Sequence, residues 1–261
     1  MAHELTLQEL DEFSKEFNAD PQNQVIARAA QRSGVLEASY NERVQGELTR
    51  VFSTELDTDN VTNQKHSGRC WLFSALNITR HFFGKKYKAK NFTFSQAYNF
   101  FWDKIERANI FYDQVLKNAD KPLDSREVRA DLDFAGGDGG QFHMAAALIA
   151  KYGVVPSYAM PENANTNDTT GFATALGDKL KKDTLVLRKL KQEGKDKEIE
   201  KTRKKFLSEV YRMTAIAVGE PPKKFDLEYR DDDKKYHLEK NLTPTEFLHK
   251  YLGDLDFDDY V

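Results

Sequence analysis

The residue of this 261-residue chain with the clearest chemical potential is its single cysteine, Cys70. A lone cysteine cannot form a disulfide within its own chain, so it is either a small buried apolar residue or a nucleophile. Gly68 and Arg69 precede it, and a run without glycine or proline follows from Trp71. This pattern predicts a largely buried helix that begins at or near Cys70. The N-terminus of a helix favours a thiolate, which is the nucleophilic form of cysteine.

A second segment of interest lies downstream and is called the glycine segment here: residues 136–140, which read Gly-Gly-Asp-Gly-Gly. Glycines at four of five positions let two backbones approach closely and permit positive φ angles. By itself such a cluster is an ordinary loop or a phosphate-binding turn. It lacks the Lys-Ser/Thr ending of a P-loop and the spacing of a dinucleotide-binding fingerprint, which disfavours phosphate.

The surroundings of the cysteine resemble the signature of papain-like proteases, C-G-[SA]-C-[WY], in which the second cysteine reacts. Residues 67–71 read S-G-R-C-W, so Ser67 stands where the first cysteine of that signature would be. Gln64 lies six residues before Cys70, which is the spacing of the oxyanion-hole glutamine in papain-like enzymes. The sequence thus resembles a papain-like nucleophile loop.

Four longer blocks are similar to one branch of that clan, the bleomycin hydrolase and bacterial aminopeptidase C family. They read V-F-S-T-E-L-D-T-D-N-V-T-N-Q, N-Q-K-H-S-G-R-C-W-L-F-S-A-L-N, F-S-Q-A-Y-N-F-F-W-D-K-I-E-R-A-N and G-G-D-G-G-Q-F-H-M. The resemblance is specific from about residue 51 to 162 and looser elsewhere. It implies a cytoplasmic cysteine aminopeptidase of broad specificity that acts on peptides, assembles as a homohexamer and needs no cofactor or metal ion.

The resemblance also implies roles for individual residues. Cys70 would be the nucleophile, and Gln64 with the Cys70 N–H would stabilise the oxyanion. Asp138, Gly139 and Gly140 would form the substrate-binding segment, since the corresponding glycine pair of papain-like enzymes hydrogen-bonds an extended peptide. Gly137 stands where the disulfide partner of the first signature cysteine would be, so both halves of that disulfide are missing, as suits the reducing cytosol.

The sequence does not contain a convincing base for this nucleophile, which needs a histidine within hydrogen-bond reach. His81 lies eleven residues after Cys70 on the same predicted helix, roughly 16 Å along its axis. His143 is expected to face a pocket or pack beneath the glycine segment. The other histidines are His3, His66, His237 and His249. In the resembled family the catalytic histidine and its asparagine come from a β-rich lobe further along the chain.

We therefore expect an α+β papain-like fold of which this chain holds mainly the helical lobe and a helical insertion. The β-rich lobe would be largely missing, either because the chain or gene is truncated or because the remainder is a separate polypeptide. The chain alone would then be inactive. The alternatives are a papain-like endopeptidase relative and a non-catalytic scaffold or assembly module.

Composition agrees with a globular protein, with 39% hydrophobic and 31% charged residues and a net charge of −3. This charge gives no reason to expect a nucleic-acid partner. The acidic start, M-A-H-E-L-T-L-Q-E-L-D-E-F, does not resemble a signal peptide, and no apolar run reaches the length of a membrane span. A cytoplasmic location without a membrane partner follows as an expectation.

Helices dominate the predicted elements. Capping boxes at Thr6–Glu9 and Thr243–Glu246 each predict the start of a helix, the second of which ends at Gly253. Another helix is predicted from Pro21 to Ser33, stopped by Gly34, and one over 141–152, closed by Gly153. A long aromatic helix is predicted to start at Ser95 and to carry Tyr98, Phe101, Trp102 and Ile105 at helical spacing. Residues 51–64 are predicted to be extended or loop structure, 154–158 a short extended segment, and 163–171 a loop.

Charge divides the second half of the chain. Residues 179–205 carry 12 basic against 5 acidic side chains, and residues 226–261 carry 11 acidic against 5 basic. An apolar stripe predicts an amphipathic helix here, formed by Ile199, Phe206, Val210 and Met213. We expect two domains, an N-terminal extension with the helical lobe over 1–178 and a charged insertion over 179–261. The basic run is a solvated helix face, the lining of an assembly cavity or a weak nucleic-acid surface. The insertion resembles the oligomerisation region of the family.

Overall fold

The computed structural model describes residues 5–48, 51–54 and 61–257. The chain divides into two compact units, residues 1–57 and 58–261. In the first unit the helices are α1 (Leu7–Ala19), α2 (Pro21–Ser33), α3 (Val35–Ala38) and α4 (Glu42–Glu47).

Local signals position the first two helices as predicted. Thr6 and Glu9 form a reciprocal capping box at the start of α1. Pro21 occupies the first turn of α2, and Gly34, at φ +87°, ends it with its N–H donating to Ala30 O. None of the residues in these helices is buried within the described part of the chain.

The second unit contains the predicted cysteine helix and aromatic helix. Its elements are α5 (Cys70–Tyr87), α6 (Gln96–Lys117), α7 (Arg126–Asp133), α8 (Phe142–Tyr152), α9 (Ala164–Asn167), α10 (Thr170–Gln192), α11 (Asp196–Val218), β1 (Phe225–Arg230), β2 (Tyr236–Leu242) and α12 (Pro244–Leu252). The described residues are thus mainly helical with a two-stranded sheet, which confirms the predicted α+β class.

The core of this unit lies where α5 and α6 pack together with α8, α10, α11 and α12. Helix α5 buries Trp71, Leu72 and Phe83, and α6 buries Tyr98 and Phe101. The hydroxyl of Ser95 accepts from the N–H of Tyr98 and caps α6. These predictions are confirmed, with Trp102 and Ile105 partly buried at the edge of the core.

Gly153 ends α8, as predicted, and lies against the first residue of α12. It has φ +76° and its N–H donates to Ile149 O. A Cβ at this position would lie 2.2 Å from Pro244 O, so only glycine permits the close approach of the two segments. The capping box of Thr243 and Glu246 then starts α12, as predicted.

The loop predicted over 163–171 is wrong in part, and the basic run contains two helices where one was predicted. Residues 163–171 are not only loop, because the Asn163 side chain caps the short helix α9 and α10 begins at Thr170. The basic run is two helices, separated at Gly194 with φ +70°. Helix α11 buries Ile199, Phe206 and Val210 as the stripe predicts, while Met213 is half-buried. Helix α10 runs through residue 178, at which the sequence predicts a domain boundary. That boundary stays a prediction.

The β1–β2 hairpin was not expected from the sequence. The strands pair antiparallel with Arg230 opposite Tyr236, and a register irregularity follows Phe225. Phe225 and Leu227 point into the core while Asp226 and Glu228 are exposed, which is the alternation of a half-buried strand. In the described ranges no helix is both long and apolar enough to cross a membrane.

Candidate active site

Cys70 is the first residue of α5, directly after the N-cap Arg69. The next residues, Trp71 and Leu72, are buried, but Cys70 itself is exposed. The predicted place of the cysteine at a helix N-terminus is confirmed. The alternative that Cys70 is a buried packing residue is wrong. Because Cys70 is the first helical residue, its backbone N–H has no partner within the helix.

The loop that carries Gln64 is closed on itself by two hydrogen bonds. The Gln64 Nε2 donates to Ser67 O at 2.6 Å, and the Ser67 hydroxyl donates to Gln64 O at 2.7 Å. A side-chain amide has two N–H donors, so one remains for a further acceptor. The structure places Gln64, partly buried, in the loop that leads into Cys70, and its role in the oxyanion hole stays a prediction.

Arg69 anchors the same loop from within. Its side chain is fully buried and forms a two-pronged ion pair with Glu162, at 3.1 and 2.7 Å. It also donates to Thr166 O at 2.7 Å, and its guanidinium lies over the rings of Phe73 and Phe100. A buried cation is tolerated when paired and hydrogen-bonded in this way. Arg69 therefore fixes the backbone position immediately before the cysteine.

The glycine segment lies beside this loop, and Asp138 makes the connection. The Gly68 N–H donates to Asp138 Oδ2 at 3.4 Å, and the Thr169 hydroxyl donates to the same oxygen. The Trp71 indole donates to Asp138 O at 2.9 Å, while Lys104 Nζ lies 2.6 Å from Asp138 Oδ1. The structure therefore brings the sequence-predicted residues Cys70 and Asp138 into neighbouring segments. The Asp138 carboxylate already has protein partners. Substrate binding by Asp138 therefore stays a prediction that concerns its main chain and not its side chain.

The carbonyl groups of the segment turn toward α5 and α6. Lys104 donates to Gly137 O at 2.7 Å, and Arg107 donates to Gly139 O at 2.6 Å. Gly140 rests on the Trp71 indole, where a Cβ would lie 2.6 Å from Cε2. Three successive carbonyls, at residues 137–139, are thus engaged by the protein. The main chain at Gly140 is left as the candidate surface for an extended peptide.

Electrostatics in this region come from two carboxylates and two cations. Lys104 is 1% exposed and lies between Asp138 and Asp103, whose Oδ2 is 3.8 Å from Nζ. Arg107 pairs with Asp103 at 2.8 Å. Burial opposes ionisation of Asp138, yet the charge and hydrogen bond of Lys104 hold the pKa of this carboxyl below its usual range. Burial also lowers the pKa of Lys104 and raises that of Asp103.

Sequence reasoning missed the residues that hold the segment in place, namely Lys104, Arg107 and Thr169. One signal could have revealed Lys104. It lies on the stripe Phe100, Lys104 and Ala108 of α6, four residues apart in each step, where the other members are apolar and buried. A lysine on a buried stripe requires an acceptor, and a nearby aspartate in a glycine-rich segment is a candidate.

No histidine in the described part of the chain is hydrogen-bonded to the Cys70 sulfur. The described histidines are His66, His81, His143, His237 and His249. His143 is exposed on the first turn of α8, so the alternative that it packs beneath the glycine segment is wrong, and that it faces a pocket stays a prediction. His81 is exposed in the later part of α5. His3 lies outside the described residues. The described residues also hold no group of three or more His, Cys, Asp or Glu side chains that could bind a metal ion.

An exposed cysteine at the start of a largely buried helix, beside a glycine-rich segment, is the arrangement expected of the helical lobe of a papain-like peptidase. The chain belongs to the Peptidase C1-like family, whose profile matches residues 4–261. The branch predicted from the four sequence blocks agrees with relatives named aminopeptidase C, one of them from Lactobacillus delbrueckii subsp. lactis at 42% identity over the whole of this chain.

Other relatives are more similar. Aminopeptidase E from Lactobacillus helveticus is 84% identical, and aminopeptidase G from Lactobacillus delbrueckii subsp. lactis is 73% identical. In both comparisons the match includes 100% of this chain and 60% of the relative. The crystal structure of PepW from Lactobacillus rhamnosis superposes with a TM-score of 0.92 at 45% identity, covering 99% of this chain and 58% of that one. The chain thus spans about three fifths of the relatives it matches.

Proposed function

We propose that the protein is a cysteine aminopeptidase that removes N-terminal residues from peptides through a Cys70 thiolate. The observation that carries this proposal is the exposed Cys70 at the first position of α5, tied through its loop to the glycine segment. Names of the similar proteins support it, since aminopeptidases E, G and W each match the whole of this chain.

The reaction is acyl transfer. The Cys70 sulfur attacks the peptide carbonyl carbon, and the oxygen that becomes negative accepts from the Cys70 N–H and from the free N–H of the Gln64 amide. A protonated histidine gives its proton to the leaving amine, and water then releases the acyl group from sulfur. The main chain of Gly140, with Gly139 beside it, hydrogen-bonds the peptide that lies across the cleft.

In our proposal these 261 residues do not include the catalytic histidine or the asparagine that orients it. This follows from the surroundings of Cys70, where the described residues place no histidine within hydrogen bonding. The 261-residue chain by itself is then inactive. Residues 179–261 form the assembly region of a homo-oligomer, a hexamer by resemblance, in the cytoplasm, where the lone thiol stays reduced.

A complementation assay tests the proposal. Residues 1–261 are expressed alone and as a chimera followed by the C-terminal part of aminopeptidase E from Lactobacillus helveticus. Both are assayed with an aminoacyl fluorogenic substrate. We expect turnover by the chimera, no turnover by the chain alone, and loss of the chimera's activity in Cys70→Ala.

The control substrate carries an acetylated N-terminus, which an aminopeptidase does not cleave. Cleavage of the blocked substrate would identify an endopeptidase instead. A cysteine-directed epoxide probe separates the remaining alternative, because it labels only an activated thiol. A folded chimera that neither turns over substrate nor reacts with the probe would make the chain a scaffold rather than a peptidase.

A further inference from the structure

Lys104 is a buried cation that touches the glycine segment twice. Its side chain is 1% exposed, and Nζ lies 2.7 Å from Gly137 O and 2.6 Å from Asp138 Oδ1. The ammonium also lies over the Phe100 ring, 4.7 Å from its centroid. One ammonium on helix α6 therefore positions the backbone carbonyl of Gly137 and the side chain of the next residue, Asp138.

Asp138 extends this contact to the loop that precedes the cysteine. While Oδ1 faces Lys104, Oδ2 accepts from the Gly68 N–H and from the Thr169 hydroxyl. The Trp71 indole adds a bond to Asp138 O. The bonded positions Gly68 and Trp71 lie on either side of the Arg69–Cys70 pair. Lys104, Asp138 and Gly68 thus form a continuous chain of polar contacts from α6 to the nucleophile loop.

Packing leaves little freedom where the two segments meet. A Cβ at Gly68 would lie 2.8 Å from Asp138 Cβ, so the segments approach as closely as glycine permits. Removing a charge from water is costly, and the cost is offset only by well-directed partners. An apolar side chain would fill the Lys104 site without that cost, but it could not orient Gly137 O and the Asp138 carboxylate.

We propose that Lys104 is a positioning residue, which through Asp138 ties the glycine segment to the loop carrying Cys70. The catalytic consequence, a fixed distance between Cys70 and the peptide-binding main chain of Gly140, rests on the proposed function. The tie itself does not. It joins Gly68 and Asp138, the immediate neighbours of Ser67 and Gly137, where the sequence resemblance places a disulfide.

Hydrogen–deuterium exchange measures the tie without requiring turnover. In Lys104→Met, which keeps a long unbranched side chain, we expect amide exchange over residues 64–69 and 137–141 to accelerate by about tenfold or more, because the Asp138 carboxylate loses its buried partner. Amides of α11 should keep their rates. The matched control is Lys205→Met, which removes a lysine that is 72% exposed and should change neither segment.

A disulfide rescue separates positioning from general loss of stability. Ser67→Cys and Gly137→Cys are added to Lys104→Met in a Cys70→Ala background, so that only one disulfide can form. A Cβ at Gly137 has only Phe134 O within 4 Å, at 3.5 Å, so a cysteine fits there without a clash, and mass spectrometry of the oxidised protein establishes that the bridge to residue 67 has formed. Oxidation should return exchange in both segments to the slow rates, and reduction of the same protein should restore the fast ones.

Each result decides the proposal. Unchanged exchange in either segment of Lys104→Met, or acceleration spread evenly over the unit, would overturn it, as would an oxidised disulfide that leaves both segments fast. If Lys104→Met does not fold, Asp138→Asn is measured instead, with the same localised acceleration expected. Because the readout needs neither a histidine nor a substrate, its outcome is independent of whether the chimera cleaves peptides.

Discussion

Arg69 and Glu162, 93 positions apart in the chain, form a bidentate ion pair directly behind the cysteine. The guanidinium is completely buried, whereas the carboxylate is 28% exposed. The pair fastens the start of α5 to the segment before α9. The geometry of the residue before Cys70 thus depends on a partner that is distant in sequence.

This pair leads to the first prediction. Arg69→Met should lower the free energy of unfolding by about 3 kcal/mol or more, because Thr166 O and Glu162 lose their partner in a buried site. Glu162→Gln should cost less, since its amide oxygen still accepts and its position is partly solvated. Urea denaturation measures both. Equal small losses, no larger than that of the surface variant Lys205→Met, would contradict the buried pair.

Alanine substitutions at the adjacent glycines Gly139 and Gly140 are expected to differ in their effect on stability. Gly140→Ala places a methyl group 2.6 Å from Trp71 Cε2, so the indole or the segment must move, at a cost of about 1–3 kcal/mol. Gly139→Ala meets nothing within 4 Å and should change stability by less than about 1 kcal/mol in either direction. Thermal denaturation of the two variants compares them directly. Equal stabilities would show that Trp71 does not pack under Gly140 as described.

A third prediction concerns alkaline pH. Burial raises the pKa of Tyr98 to about 12, and its hydroxyl donates to Tyr152 O at 2.7 Å. The unfolded chain releases this proton near pH 10, so between these values the folded protein binds more protons and its stability falls as pH rises. The contribution of this residue is fully present below pH 10 and is lost toward pH 12, on the order of 2–3 kcal/mol.

Tyr98→Phe provides the control for that titration. The variant lacks the hydroxyl, so its free energy of unfolding should fall less steeply than that of the unaltered protein between pH 10 and 12. Chemical denaturation at a series of pH values gives both curves. Parallel curves would mean that Tyr98 does not hold its proton in the folded state.

The exposure of Cys70 is checked by labelling. The folded chain should take up one equivalent of iodoacetamide without denaturant, because the thiol is exposed at the start of α5. Mass spectrometry locates the label, and Cys70→Ser should take up none. Labelling that occurs only after unfolding would place the thiol in the core and remove the basis for a nucleophile.

Local signals in the sequence predicted much of the helical structure. A capping box such as that of Thr243 and Glu246 satisfies backbone donors within four residues, so no distant contact is required. The hairpin was missed although Phe225, Leu227 and Tyr229 alternate with charged residues in β1. The strand is only six residues long and carries three charged side chains, so its period of two is a weak signal in a segment of high charge.

The candidate site likewise contains residues that the sequence predicted and residues that only the structure revealed. Gln64, Cys70 and the glycine segment were found because their types and spacing resemble a known arrangement. Lys104 and Glu162 were not, because their importance lies in partners that are 34 and 93 positions away. Burial of a charge is acceptable only beside its partner, and no spacing rule within one segment reveals that partner.

By itself the sequence determined the helices with strong caps, the place of Cys70 at a helix N-terminus and the resemblance to papain-like peptidases. These depend on side chains a few residues apart and on motifs short enough to read directly. The tertiary structure alone decided that Cys70 is exposed, that Asp138 faces Lys104 rather than solvent, and that the glycine segment lies beside the nucleophile loop. Such features arise when remote segments pack, because only the folded chain brings their charges and backbone groups within hydrogen-bonding distance.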